Sequence, residues 1–134
     1  KRVDKQLDHL NARSVAHFTA VSAQLTQVLD RITARTDKAT ANGRTVNAVR
    51  TAIDAARNAI AASRTATAAQ AGRTYEILVS GETGLKADVL RTRQQMKSDL
   101  GAVRAQVKAA RDAVQRAATT LATVPRVDTV TVGE

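Results

Sequence analysis

Cysteine is absent from this chain, so neither a disulfide framework nor a thiolate metal site is open to it. Tryptophan is absent too, and Phe18 and Tyr75 are its only aromatic residues. Large aliphatic side chains are few, and alanine supplies much of the apolar content. A buried large side chain contributes ~1.5–3 kcal/mol, and alanine brings far less area. A thick globular core is therefore hard to build. Thin, repeated helix contacts are easier, because alanine lets helices approach closely and ranks first in helix propensity.

Proline occurs once, at Pro125, and glycine is scarce before it. Long helices are expected up to that point, and Pro125 is expected to end the last one, having no N–H and clashing with the preceding turn. A long apolar run is also missing. The stretch Ser14–Leu29 is too short and too polar for a transmembrane span. No signal peptide is visible, and the chain opens on Lys1, as a processed chain or a piece of a longer protein would.

What the chain has in excess is positive charge and heptad order. The formal net charge is +9. Such charge attracts polyanions over a distance, yet here it is spread along the whole chain, as on a solvated surface.

From Phe18 the apolar positions alternate by three and four without a slip. Phe18, Leu25, Ile32, Ala39, Val46, Ile53 and Ile60 take a positions, and Val21, Val28, Val49 and Ala56 take d positions. Polar residues enter the same seam at Arg35, Asn42, Ser63 and Gln70. Upstream, Leu10, Ser14 and Phe18 follow at four-residue steps, a stutter that relaxes a supercoil locally. The segment Ser80–Gly84 breaks the register. A second seam then runs through Met96, Leu100, Val103, Val107, Ala110, Val114, Ala117, Leu121 and Val124. The stripe is narrow, because the e positions of the middle segment include Arg50, Arg57 and Arg64, and those of the last segment Lys97, Arg104 and Arg111. A narrow a/d stripe marks a coiled coil, whereas a globular helix adds an apolar flank.

Two architectures compete. Asn42-Gly43 is a turn signal, and with Ser80–Gly84 it cuts the chain into three similar segments, as in an antiparallel three-helix bundle. Against this, the heptad phase passes through Gly43 intact, and one helical glycine costs only ~1 kcal/mol. The expectation is an all-α chain with a long coiled-coil helix over 1–79, a weak point near 42–44, a hinge or hairpin loop at 80–84 and a second helix over 85–124. That 1–79 helix would be ~118 Å long. The parallel homo-oligomer is favoured, and a homotrimer over a dimer, because the d positions are not leucine. Residues 125–134 read as a short strand lead-in or linker, from the alternation in Val127–Glu134.

Chemistry-bearing constellations are thin. His9 and His17 have no ligand partner three or four residues away, and "GETG" lacks the Lys-Ser/Thr ending of a phosphate loop. No catalytic, cofactor or metal site is expected, and the chain reads as a non-enzyme. Arg35 either snorkels out of a loose seam or, with Asn42, forms a register-fixing or anion-binding layer. Arg93, Lys97, Arg104, Lys108 and Arg111 can contact phosphates, but no aromatics interleave them for base stacking. The expected role is an oligomeric stalk, fibre or spacer, for example in a phage tail, virion or surface appendage, partnered by itself and other structural subunits. The alternatives are a basic module coating nucleic acid or an anionic surface, and a helical-bundle adaptor.

Overall fold

The computed structural model describes residues 2–77 and 84–124, and everything it describes is helix or short connection. Helix α1 spans Arg2–Ala41, α2 Asn47–Ala71 and α3 Leu85–Ala122. No helix among them is long and apolar enough to cross a membrane. The strand lead-in expected beyond Pro125, and the register break except for its last residue, lie outside the described residues.

The chain reverses at Asn42-Gly43, which corrects the reading of one helix over 1–79. Gly43 sits at φ 79, a left-handed conformation that glycine adopts without the Cβ penalty. Its N–H donates to the Thr40 carbonyl at 3.0 Å, and the Arg44 N–H to the Ala39 carbonyl at 2.9 Å. These are the paired closing bonds of a Schellman motif. They satisfy carbonyls that the helix end leaves open. An added Cβ at Gly43 would meet nothing within 4 Å, so only the backbone resists substitution. Gly43→Ala should therefore destabilise the protein by about 1 kcal/mol in urea unfolding. In a continuous helix the same change would stabilise by about as much, so the sign of the effect separates the two.

Beyond the turn, α2 runs back along α1. Arg50 of α2 pairs with Asp37 at 2.8 Å, Ser63 meets Ser22 at 3.2 Å, and Gln70 meets Asn11 at 2.7 Å. Helix α3 then lies parallel to α1 and antiparallel to α2. Leu7 packs with Met96, Phe18 with Val103 and Val107, and Leu29 and Ile32 share a cluster with Ala110 and Val114. The arrangement is an up-down-up three-helix bundle.

Along its axis the core changes character. At the turn end, Ala39, Ala56, Ala110 and Ala117 are all 0% exposed, packed with Val49, Ile53 and Ile60. Alanine at these layers brings the helices close. The middle holds Phe18 with Val103 and Val107. At the far end, the segment after α2 crosses the bundle. Tyr75 and Ile77 point inward against Leu7 and Met96 while Glu76 stays exposed.

Most of the seam positions read from the periodicity lie inside this single chain. Val46, Val49, Ile53, Ile60, Ser63, Gln70, Met96, Val103, Val107 and Val114 are buried, and Leu100 and Leu121 partly so. In α1 the assignment needs correction. Phe18 and Ile32 are buried, with Val21 and Leu25 partly so, but Val28 is 37% exposed and Arg35 exposed. Ser22, Leu29 and Thr36 take the buried places one residue on. Leu7, Phe18 and Leu29 follow at eleven-residue steps, the repeat of a nearly straight helix, and a strict seven-residue frame drifts away from it. Asn42 is exposed at the turn. Arg35 and Asn42 therefore form no core layer.

Candidate functional site

The densest chemistry lies where α1, α3 and the segment after α2 meet. Gln70, 2% exposed in the last turn of α2, spends both amide hydrogens here. One goes to Asn11 Oδ1 at 2.7 Å, the other to the Tyr75 hydroxyl at 2.7 Å. Asn11 returns a bond from Nδ2 to the Gln70 carbonyl at 3.0 Å. The Tyr75 hydroxyl donates onward to Asp99 Oδ2 at 2.8 Å, while Gln95 donates to Asp99 Oδ1 at 2.9 Å. Arg73 reaches the same carboxylate at 3.5 Å. The Tyr75 backbone N–H donates to Asp8 of α1 at 3.3 Å. One connected set of bonds thus ties the three helices together.

Buried polar atoms cost stability unless partnered, and here the acceptors and donors answer one another. A cleft of about 420 Å³ opens beside the network, lined by Arg73, Tyr75, Arg91, Thr92, Gln95 and Asp99 among others. Chemically the arrangement holds a phenol neutral. Burial raises the Tyr75 pKa above its ordinary value most, the Gln70 hydrogen bond opposes this, and the bond to and charge of Asp99 raise it further. Such a tyrosine is a clamp more than a nucleophile, because its proton is held on oxygen.

A pH effect follows. The phenol ionises earlier in the unfolded chain, at about pH 10, than in the folded one. Stability from Tyr75 is then fully present below pH 10 and lost as pH rises through the raised folded value. Urea midpoints from pH 8 to 11 should fall more steeply for the native protein than for Tyr75→Phe. Parallel slopes would show that the phenol is not held neutral.

Elsewhere the functional chemistry is sparse. His9 and His17 are both exposed, and no group of three potential metal ligands occurs among the described residues. A second polar layer joins Ser22 and Ser63. Since Ser63 donates to the Ile60 carbonyl at 2.8 Å, Ser22 is the donor between the two hydroxyls. Comparison of the chain with protein-family models, with curated proteins and with solved structures finds no match in any of the three.

Of the network, the sequence pattern marked only Gln70, as a polar residue in the seam. Asn11, Tyr75 and Asp99 went unmarked. Asn11 sits seven residues before Phe18 on the same face, a spacing that could have marked it. Nothing in the sequence brings Tyr75 to Asp99. The arginines at the e positions of α2 do find partners: Arg50 pairs with Asp37, and Arg64 donates to Thr26 at 3.3 Å. Arg50 and Arg64 staple α2 to α1, while Arg57 meets Asp54 of its own helix at 4.0 Å. The α3 cations Arg93, Lys97, Arg104, Lys108 and Arg111 are all exposed.

Proposed function

We propose that this chain is a non-enzymatic helical-bundle module, a spacer or adaptor that holds a set distance within a larger assembly such as a tail or surface appendage. The observation that carries this reading is the coverage of α1. Its 40 residues make a strut of ~60 Å, and its buried stripe is covered by α2 and α3 of the same chain. Three satisfied polar contacts, Asn11–Gln70, Ser22–Ser63 and Tyr75–Asp99, favour one register along that strut. A spacer needs such rigidity, and no enclosed reaction site is required of it.

The competing reading is a parallel homotrimeric stalk assembled with other structural subunits. It would require the three helices to part and to pair their seams between chains. Light scattering and X-ray scattering on the same sample decide between them. The bundle module is expected at the monomer mass of 14.2 kDa with a maximum dimension well under the ~118 Å of an unbroken 1–79 helix. A threefold mass together with a dimension above 100 Å would overturn the module and restore the stalk.

A further inference from the structure

The bundle sorts its charges by face. On α1, Asp37 meets Arg50 of α2, Asp8 meets the Tyr75 backbone after α2, and Asp30 lies seven residues before Asp37 on the same flank. On α3, Asp99 meets Tyr75 and Arg73, and Asp88 lies eleven residues before it on the same flank. These carboxylates thus sit on the sides of α1 and α3 that look toward α2. The opposite flank of α3, toward α1, is marked by Val89, Leu100 and Val107, which pack against the Leu7 and Phe18 clusters.

Alongside those residues runs a row of exposed cations: Lys86, Arg93, Lys97, Arg104, Lys108 and Arg111. Arg93, Arg104 and Arg111 each follow one of the three apolar markers by four residues, which makes them neighbours on the helix surface. Lys108 pairs with Asp112, which lies on the outer surface, at 3.1 Å. Among the described residues no carboxylate pairs with the other five. Across the groove, α1 adds cations on its own α3-facing side. Val21 packs against Val103 and Val107. Val28 and Arg35 continue that line at seven-residue steps, with Arg31 beside them. Among the described residues the α1–α3 face is rich in cations, and the carboxylates that make contacts toward α2, Asp8, Asp37 and Asp99, lie on the other flanks of α1 and α3.

We infer that this face binds the phosphate backbone of a nucleic acid duplex without reading its sequence. The α3 row is rigid and spans ~38 Å, close to one turn of a duplex. Double-stranded DNA presents about one negative charge per 1.7 Å of its axis, a density that a straight cationic row complements. A single strand is a poorer fit. Non-specific single-strand sites stack bases on aromatic rings, and both Phe18 and Tyr75 are buried. An anionic bilayer is poorer too, since α3 already spends its apolar stripe on the bundle, leaving only Leu85 and Leu90 as its exposed large apolar side chains among the described residues, with Val28 across the groove on α1. The inference rests on the bundle fold and is independent of the spacer role.

The test is fluorescence anisotropy of the full chain with a mixed-sequence 30-base-pair DNA duplex, from 50 to 200 mM salt. With about four phosphate contacts, affinity should fall roughly 10²-fold over that range. Lys97→Glu with Arg104→Glu should weaken binding about tenfold or more and flatten the salt slope by about two. Arg57→Glu with Arg64→Glu removes the same charge from α2 and should change binding far less. Circular dichroism of both variants confirms that helix is retained. Equal losses from the two pairs would overturn the inference, since net charge alone would then account for binding. So would binding to phosphatidylserine vesicles without binding to the duplex, or binding to neither.

Discussion

Phe18→Ala is expected to cost the bundle about 3–5 kcal/mol, the usual range for emptying a buried phenylalanine site. Phe18 is 4% exposed and is the only phenylalanine in the chain. It fills the middle of the bundle against Val103 and Val107, with Val21, Ala66 and Leu100 at its edges. The adjacent layer is the Ser22–Ser63 hydrogen bond, which has no side-chain bulk to move into a void. The cavity would therefore stay open, and the cost should fall at the upper end. Domains of this size are stable by only about 5–15 kcal/mol, so one side chain carries a large share. Urea unfolding followed by circular dichroism should show a lower midpoint at unchanged slope. Phe18→Leu should lose much less. A loss under about 1 kcal/mol for Phe18→Ala would mean that the site collapses or that the layer is not packed as described.

Gln70→Leu is the second large effect, expected at about 2–3 kcal/mol. The substitution fills similar volume, so packing loss is small. The Asn11 Oδ1 atom, however, is left buried without the donor that reached it at 2.7 Å, and stranding a buried polar group costs about 1–3 kcal/mol. Tyr75 keeps its bond to Asp99 but loses the Gln70 donor. The partner experiment is Asn11→Leu combined with Gln70→Leu. Removing both ends of a buried polar pair is often nearly neutral, so the double variant should be more stable than the Gln70→Leu single. A double-mutant cycle measures that coupling directly. Strictly additive losses would show that Asn11 and Gln70 do not act as a pair.

These two layers also show what periodicity can reveal. In α2 the three-four alternation marked Val49, Ile53, Ala56, Ile60, Ser63 and Gln70, all of them buried, because a narrow stripe on a helix of ordinary pitch has one face to bury. In α1 the same frame failed by one residue at Val28 and Arg35. A seven-residue repeat drifts ~20° per heptad on a straight helix, and α1 is long enough for that drift to matter. Gly43 misled for a different reason. Heptad phase carries no direction, so the seam of an antiparallel hairpin can keep the phase of a continuous rod. The Tyr75–Asp99 contact was not legible at all, since it depends on where the segment after α2 crosses the bundle.

By itself the amino-acid sequence determined the local material: helices built on alanine, a stripe two residues wide per heptad, a polar residue here and there within it, and an excess of cations. Each of these is a property of one helix and its own repeat. Only the tertiary structure decided who covers the stripe, and it did so through the left-handed residue at Gly43, which turns α2 back onto α1. The same reversal decided the faces. Once Arg50 of α2 engages Asp37 on one flank of α1, the exposed Arg31 and Arg35 stand on the other flank, toward α3. Charge attracts across space, and a linear sequence does not say which flank will find a partner.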